Sequence, residues 1–155
     1  MAELPDIGIA LAPILLKVPR ERQPLLIALA ERSAAERYRT WAGEMREETH
    51  RAELLACADR EEEIARRVEA LYPGGGAIQS QLVADNPELE QIGRALFAGR
   101  PLHEQFTIQA RGERLGAATW RSFAKHAATP EARATFLACA TLEEASAVVL
   151  ESLVS

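Results

Sequence analysis

The chain has 155 residues and a net charge of −5 at pH 7, with 48% hydrophobic and 26% charged residues. This length suits one domain, residues 1–155, that buries about 70% of the surface its unfolded chain would expose. The composition argues against nucleic acid as a partner, because no basic face gathers enough Lys or Arg to neutralise phosphates. Two widely separated cysteines, with no Cys-x-x-Cys pair, argue against a secreted disulfide framework or a zinc ribbon, and we expect a reducing, cytoplasmic setting.

Residues 1–22 are predicted to form an N-terminal docking segment. They contain one apolar run, Ile7 to Leu16, which Pro13 interrupts. The run is too short to span a bilayer, and Glu3 and Asp6 stand where a signal peptide carries positive charge. We therefore expect a short helix or turn that packs on the domain, and no association with a membrane.

The next stretch has the periodicity of two amphipathic helices. Apolar residues recur at steps of three and four, and we place one helix at about Gln23 to Arg46 and a second at about Glu47 to Leu71. Pro73 and the three glycines after it stop the second helix. Residues 24–71 are therefore predicted to form a helical hairpin.

Residues 74–101 are predicted to connect this hairpin to a second one. The glycines after Pro73 begin the longest irregular stretch of the chain, which we expect to run from Gly74 to about Asp85. A short helix should then begin at Asn86-Pro87-Glu88 and end near Phe97. A long crossover of this kind is found in some four-helix bundles.

Residues 102–154 are predicted to form the second hairpin. Its first helix should run from about Leu102 to Ala127. Thr129-Pro130-Glu131 then provides an N-cap, a proline at the first helical position and an acidic first turn for another helix, which should end at about Leu153.

The two hairpins are related by an internal repeat. The segment from Glu31 to Leu71 recurs without a gap 82 residues later, from Glu113 to Leu153, and 16 of the 41 aligned positions are identical. A repeat of this kind indicates that similar units pack together. The sequence therefore predicts an all-α fold, a four-helix bundle made of two duplicated hairpins.

Four glutamates interrupt the apolar stripes of the predicted helices. Glu31 and Glu61 lie within the stripes of the first hairpin, and the 82-residue offset places Glu113 and Glu143 at the equivalent positions of the second. Solvated glutamates normally occupy the opposite face of an amphipathic helix. We therefore expect four carboxylates to converge in the middle of the bundle. Glu62 would take the place of Glu61 if its helix were rotated.

Such a cluster needs compensation, because buried negative charges repel one another and lose their hydration. A cation is one answer, and carboxylate oxygens suit Mn, Ca, Mg or Fe better than Zn or Cu. Shared protons with raised pKa values are a second answer. A third is that Arg32, Arg114 or another guanidinium folds inward and pairs with the glutamates.

Two cysteines and two aromatic residues accompany the glutamates. Cys57 and Cys139 each precede a site glutamate by four residues, which is about one helical turn. They could lie near each other across the core, where thiol ligation or a redox pair competes with simple packing, and we favour packing. For Tyr38 and Trp120 we likewise favour a core role over a radical or electron-relay role.

The glutamate pattern resembles the ferritin-like superfamily, and within it the rubrerythrin-like branch. That family carries a Glu on helix 1 and Glu-x-x-His on helix 2, and repeats both on helices 3 and 4. Glu31, with Tyr38 seven residues on, and the sequence ADREEEIA around Glu61 resemble the first half of that pattern. The second half recurs at the 82-residue offset, so that the similarity covers about residues 24–154.

The chain differs from the family's pattern at three positions. Ile64 and Ser146 stand where the two histidines would be, and Gly116 replaces an additional glutamate of the rubrerythrins. The resemblance therefore implies a di-metal site made of carboxylates alone, with iron or manganese as the metal. Its ligands would be Glu31, Glu61, Glu113 and Glu143.

These expectations lead to two functional hypotheses. The first is a rubrerythrin- or ferritin-like metal-binding protein with a degenerate, carboxylate-only di-metal site. If the metal is iron, the resemblance implies oxygen- or peroxide-linked redox chemistry by a di-metal carboxylate oxidoreductase. The second hypothesis is a non-catalytic helical scaffold or interaction protein that has lost the metal site. A homodimer is the expected assembly, with the N-terminal segment and the glycine-rich crossover as contact regions.

Overall fold

The computed structural model describes residues 3–155, and this part of the chain contains helices and their connections but no strand. The all-α prediction is therefore confirmed. A 3₁₀ turn, Arg20–Arg22, precedes the second helix. Residues 1 and 2 of the predicted docking segment lie outside the described part. The α-helices of residues 3–155 are α1 (Ile7–Leu15), α2 (Gln23–Glu44), α3 (Glu48–Glu69), α4 (Gly75–Asp85), α5 (Leu89–Phe97), α6 (Leu102–Lys125) and α7 (Pro130–Val154).

The four long helices, α2, α3, α6 and α7, lie close to their predicted positions. Each begins and ends within two residues of the bounds expected from the sequence. The side chain of Thr129 accepts a hydrogen bond from the backbone N–H of Ala132 at 3.1 Å, and Pro130 is the first residue of α7. The predicted N-cap of this helix is therefore confirmed.

The glycine-rich stretch is the main correction to the predicted elements. The interval from Gly74 to Asp85, expected to be irregular, is helical after Gly74. Gly74 has a φ of 70°, a left-handed conformation that glycine adopts without strain, and this lets the chain turn before α4. Gln79 then anchors α4, because its buried side chain donates to Leu25 O at 3.3 Å and to Glu69 Oε2 at 2.8 Å. These tertiary contacts outweigh the low helix propensity of the glycines.

The N-terminal segment contains α1, which packs on α6. The side chain of Asp6 caps this helix by accepting a hydrogen bond from the backbone N–H of Ile9 at 2.9 Å. The contact is close, since a Cβ on Gly112 of α6 would lie 2.6 Å from Ile7 Cδ1. Neither α1 nor any other helix of residues 3–155 is long and apolar enough to cross a membrane.

Ion pairs reveal the direction of the long helices. Arg32 and Arg39 of α2 pair with Glu69 and Glu62 of α3, respectively. Because the residue nearer the start of α2 meets the residue nearer the end of α3, the two helices are antiparallel. Equivalent pairs at the 82-residue offset join α6 to α7, namely Arg114 with Glu151 and Arg121 with Glu144. Each pair is partly exposed and contributes less than about 1 kcal/mol, so the helices are held together mainly by their core.

Two large hydrophobic clusters form most of that core. One surrounds Trp41, whose ring lies 5.2 Å from that of Phe106 in an edge-to-face arrangement. The other surrounds Trp120, whose ring stacks on that of Phe136 at 5.8 Å. We call them the Trp41 cluster and the Trp120 cluster. Aromatic pairs of this geometry add about 0.5–1.5 kcal/mol beyond the burial of their area.

Candidate metal centre

All four predicted site glutamates lie inside the protein. Glu61 is fully buried, Glu113 and Glu143 are each 1% exposed, and Glu31 is 8% exposed. Each comes from a different long helix, so that α2, α3, α6 and α7 all contribute one carboxyl group. Burial of this extent is rare for glutamate unless the charge is compensated.

The glutamates lie at the level where the two hydrophobic clusters meet. Along α2, Glu31 lies between Ala28, which belongs to the Trp120 cluster, and Ala35, which belongs to the Trp41 cluster. Every one of the four glutamates has an alanine three residues before it and another four residues after it, and these alanines are buried. Small side chains on both sides leave room for a carboxyl group between the helices.

Three of the four carboxyl groups form a close cluster. Glu31, Glu61 and Glu143 each offer an oxygen atom, and these oxygens all lie within 4.8 Å of one another. No other group of three His, Cys, Asp or Glu side chains in residues 3–155 comes together in this way. The offered ligands are carboxylate oxygens, which suit Mn²⁺, Fe²⁺, Mg²⁺ or Ca²⁺. We call these three residues the glutamate cluster.

Glu61 lacks a hydrogen-bond donor. Both of its side-chain oxygens are buried, and no residue in the described part of the chain donates to either of them. A buried polar atom without a partner costs about 1–3 kcal/mol, and a charged one costs more. The neighbouring carboxylates of Glu31 and Glu143 are acceptors as well. A cation or a proton between these carboxylate oxygens would give those of Glu61 a partner.

Glu113 has different surroundings. Its Oε1 accepts two hydrogen bonds, from the hydroxyl of Tyr38 at 2.6 Å and from Nε2 of Gln109 at 2.9 Å. Gln109 accepts in turn from the guanidinium of Arg37 at 3.1 and 3.3 Å, and this guanidinium lies over the ring of Phe97. Burial lowers the pKa of Arg37, while the charge of Glu113 acts in the opposite direction. The guanidinium of Arg37 therefore contacts Glu113 through an amide, and its charge also opposes the rise in the pKa of Glu31.

The carboxyl group of Glu143 accepts a hydrogen bond from the indole of Trp120 and lies beside Gly116, which has no side chain. The N–H of Trp120 donates to Glu143 Oε1 at 2.8 Å. A Cβ on Gly116 would lie 2.7 Å from the same oxygen and 2.9 Å from the carboxyl carbon. Any side chain at position 116 would therefore displace the carboxyl group of Glu143.

Burial is the main influence on the protonation of the glutamate cluster. It raises the pKa of Glu31 above its ordinary value, and it raises the pKa values of Glu61 and Glu143 well above theirs. Repulsion from neighbouring carboxylates adds to the effect for Glu61 and Glu143. Without a cation, the cluster therefore holds protons at pH values at which exposed glutamates are ionised.

The inward guanidinium expected from Arg32 or Arg114 is not observed. Arg32 pairs with Glu62 and Glu69 at the edge of α2 and α3, and Arg114 pairs with Glu151 across α6 and α7. Both arginines thus face away from the buried glutamates, and the hypothesis of a direct arginine partner is wrong for these two residues. The alternative in which a rotated α3 turns Glu62 inward is also wrong, because Glu62 is engaged in that outer ion pair.

The positions expected to carry histidines have other roles. Ile64 is fully buried in the Trp120 cluster. The hydroxyl of Ser146 accepts a hydrogen bond from Arg60 Nε at 3.0 Å, and the same guanidinium lies 3.2 Å from the sulfur of Cys57. Neither Ile64 nor Ser146 belongs to the glutamate cluster.

The two cysteines are buried, free and located in different parts of the core. Cys57 belongs to the Trp41 cluster and Cys139 to the Trp120 cluster. Burial raises the pKa of Cys57, and it raises the pKa of Cys139 to about 12. Protonated thiols are poor ligands and poor nucleophiles, although at Cys57 the guanidinium of Arg60 opposes the effect of burial. These surroundings support the packing role and give no support to ligation or a redox pair.

Gln109 and Arg37 are functional residues that the sequence pattern did not predict. Gln109 precedes Glu113 by four residues, and a polar residue one turn before a buried glutamate on an apolar stripe was an available signal. The alanines that lie three residues before and four residues after each of the four glutamates were another available signal. Arg37 lies among the charged residues Glu36 and Arg39, and its sequence context gives no comparable signal.

When the chain was compared with family models, with curated proteins and with solved structures, no match was found.

Proposed function

We propose that the protein binds a divalent cation, manganese or iron, between the buried glutamates of a ferritin-like four-helix bundle. The observation that carries this proposal is Glu61, a fully buried carboxyl group whose two oxygens receive no donor from the described residues. Oxygens of Glu31 and Glu143 lie within 4.8 Å of it. A cation between these three groups would satisfy all of them at once, and the candidate arginines Arg32 and Arg114 are paired elsewhere.

Equivalent contacts in the two halves support a bundle built from duplicated hairpins. The pair Arg32–Glu69 in the first hairpin has its counterpart, at the 82-residue offset, in Arg114–Glu151. The two hairpins also touch through their helices, since α3 packs on α7 and Tyr38 of α2 reaches the carboxyl group contributed by α6. Each long helix contributes one glutamate between two alanines, as an arrangement with four similar helices requires.

Bound manganese or iron would supply redox chemistry with oxygen or peroxide, which is the activity that the ferritin-like resemblance implies. The residues of the chain bind and orient the ion. The glutamate cluster provides the negative charge, and the N–H of Trp120 fixes the orientation of Glu143. The hydrophobic clusters lie on either side of the centre.

Metal analysis of protein purified without an affinity tag or chelator tests this proposal. Plasma mass spectrometry should find about one or two ions per chain, either as purified or after anaerobic incubation with Fe(II) and Mn(II). Glu61→Gln keeps the shape of the side chain but removes its charge, and it should lose the metal. Glu62→Gln is the matched control, because the adjacent Glu62 faces Arg32 and Arg39. Absence of metal from the wild-type protein in both preparations would overturn the proposal.

A helical scaffold without a metal is the second candidate, and the raised pKa values of Glu61 and Glu143 favour it. A cluster that holds protons has less need of a cation. The double variant Glu31→Gln with Glu113→Gln separates the two candidates. A scaffold should be unchanged or more stable because it loses buried charge, whereas a metal protein should lose the stabilisation that its cation provides. A higher melting temperature of the double variant, measured on protein as purified, would favour the scaffold.

A further inference from the structure

We propose that two copies of this chain pair through the exposed face of α7, in an antiparallel arrangement about a two-fold axis. The face is formed by five exposed residues, which we call the α7 stripe: Ala134, Leu137, Thr141, Ala145 and Val148. The inference does not depend on the proposed metal. It moves the expected contact between copies away from the N-terminal segment and the crossover.

The α7 stripe carries no charge. Its residues follow one another at steps of three and four, so they lie along one side of the helix, and they are the exposed residues of α7 between positions 134 and 150. Leu137 is 43% exposed and Val148 is 57% exposed. The solvated face of an amphipathic helix normally carries charged and polar side chains. An uncharged face about 21 Å long is therefore typical of a contact surface.

The internal repeat provides a comparison for this face. At the 82-residue offset the stripe corresponds to a face of α3, where Ala52 and Leu55 are identical to their counterparts. The other three positions are charged in α3 and uncharged in α7, with Asp59, Glu63 and Arg66 corresponding to Thr141, Ala145 and Val148. The α3 face thus has the charges of a solvated surface, and Glu63 forms an ion pair with Arg67 there. The same face of the repeat has lost these charges in α7.

The order of large and small side chains in the stripe suits a second copy of α7. In an antiparallel pair centred on Thr141, Leu137 of one copy faces Ala145 of the other, because they lie four residues on either side of the centre. Val148 likewise faces Ala134, since these lie seven residues on either side. Each large side chain then meets a small one, so that the two helices can interdigitate. A surface that complements itself in this way produces a two-fold dimer.

The charges beyond the two ends of the stripe are complementary as well. The same register brings Glu131 and Arg133, at the start of one α7, beside Glu151 near the end of the other. Glu151 is paired with Arg114 of its own chain at 2.7 Å. Two acidic and two basic side chains therefore meet at each end of the contact, and no excess charge opposes the pairing there.

The size of the contact indicates a weak dimer. A face about 21 Å long on a helix about 10 Å wide is smaller than the roughly 800 Å² per partner of a standard interface. Small interfaces of this kind are typical of transient complexes. We therefore expect a dissociation constant of about 1–100 µM, so that the monomer prevails in dilute protein.

Sedimentation velocity of the full chain between about 5 and 500 µM tests the inference. The wild-type chain should shift from monomer to dimer across this range. The triple variant Thr141→Asp, Ala145→Glu and Val148→Arg introduces the charged residues of the α3 face, and its dissociation constant should rise by more than about a hundredfold. A wild-type chain that stays monomeric, or a dimer that the triple variant leaves unchanged, would overturn the inference.

Two further variants keep this test decisive. Thr141→Asp alone places two carboxylates at the two-fold axis, and it should weaken the dimer at least about tenfold even where the triple variant does not fold. Ile9→Glu with Leu16→Glu is the control, because these residues of α1 are 77% and 82% exposed, and it should leave the dimer intact. Dissociation of the dimer in the α1 variant but not in Thr141→Asp would place the contact on α1 and overturn the inference.

Oxidative cross-linking tests the antiparallel orientation. An equimolar mixture of Leu137→Cys and Ala145→Cys should form the mixed disulfide-linked dimer in preference to dimers of either variant with itself, because these positions face each other. The native cysteines, Cys57 and Cys139, are buried, so the wild-type chain is the control. Preferential cross-linking of each variant with itself would indicate a parallel pair and overturn the proposed arrangement.

Discussion

Glu31 and Glu113 occupy equivalent positions in the two halves of the chain, yet their surroundings differ. Glu113 accepts hydrogen bonds from Tyr38 and Gln109, whereas the residue equivalent to Gln109 beside Glu31 is Ile27. The outer ion pairs, by contrast, recur in both halves at the same offset. The outer ion pairs are therefore formed by residues that are identical in the two halves, whereas the hydrogen bonds to Glu113 come from positions that differ between them.

The largest expected effect is the pH dependence of the metal-free protein. Burial raises the pKa values of Glu61 and Glu143 well above the value of about 4.5 expected in the unfolded chain, so the folded state binds more protons. The stability this contributes is fully present below the unfolded pKa and is lost as the pH rises towards the folded pKa values. We expect the melting temperature of metal-free protein to fall as the pH is raised from about 5 to neutral.

Glu61→Gln should make the melting temperature of metal-free protein less dependent on pH, because it removes one of the groups that must lose a proton. Glu62→Gln, at an outward position, should leave the pH dependence of the melting temperature unchanged. Differential scanning calorimetry across the pH range provides the comparison. A melting temperature that rises over the same range would contradict the raised pKa values.

The two aromatic donors stand at equivalent positions, and their removal should have unequal effects on stability. Trp120→Phe removes the indole N–H that Glu143 accepts and part of a fully buried ring, and we expect a loss of about 2–4 kcal/mol. Tyr38→Phe keeps the ring and removes one of two donors to Glu113, and it should cost about 1–2 kcal/mol. Urea unfolding measures both. Equal losses would contradict the difference in support for the two carboxyl groups.

Gly116 and its counterpart Ala34 provide a third contrast between the halves. Gly116→Ala places a Cβ 2.7 Å from Glu143 Oε1, and we expect a loss of about 1–3 kcal/mol from overpacking. Gly93→Ala is the control, because this helical glycine has nothing within 4 Å of an added Cβ. The control should be neutral or stabilising by up to about 1 kcal/mol. If Gly116→Ala unfolds in denaturant at the same midpoint as the control, the carboxyl group of Glu143 is not confined by that glycine.

The smallest expected effects concern the outer ion pairs. Arg114 contacts one carboxylate, Glu151, and Arg114→Ala should cost less than about 0.5 kcal/mol. Arg32 contacts both Glu62 and Glu69, and Arg32→Ala should cost about 1 kcal/mol. Both losses should shrink at high salt, since the pairs are partly exposed. A larger loss for Arg114→Ala than for Arg32→Ala, measured by urea unfolding, would contradict this ranking.

Local periodicity and the internal repeat were sufficient to predict the long helices and the buried glutamates. Both are properties of spacing along the chain, and they require no knowledge of neighbours in space. Helix α4 could not be predicted in this way, because the side chain of Gln79 stabilises it through contacts with Leu25 and Glu69. Glycine-rich sequence alone indicates an irregular segment.

The arrangement within the site depends on packing and was not accessible from spacing. The 82-residue offset treats the two halves as equal, so it could not predict that Glu113 accepts hydrogen bonds from Tyr38 and Gln109 while Ile27 takes the place of Gln109 beside Glu31. Tyr38 and Trp120 are core aromatics as expected, but which carboxyl group each one reaches depends on how the helices meet. The role of Gly116, which leaves room for the carboxyl group of Glu143, can likewise be recognised only from the distance between the two residues.

Thermal unfolding with and without Mn(II), compared between the wild-type chain and Glu61→Gln, tests most directly whether a cation compensates the buried carboxylates. A ligand present at about a thousand times its dissociation constant stabilises the folded state by about 4 kcal/mol. For a chain of 155 residues, this corresponds to a rise of roughly 10 °C in the melting temperature. We predict such a rise for the wild-type protein and none for Glu61→Gln. No rise in the wild-type protein, or the same rise in both, would contradict the account.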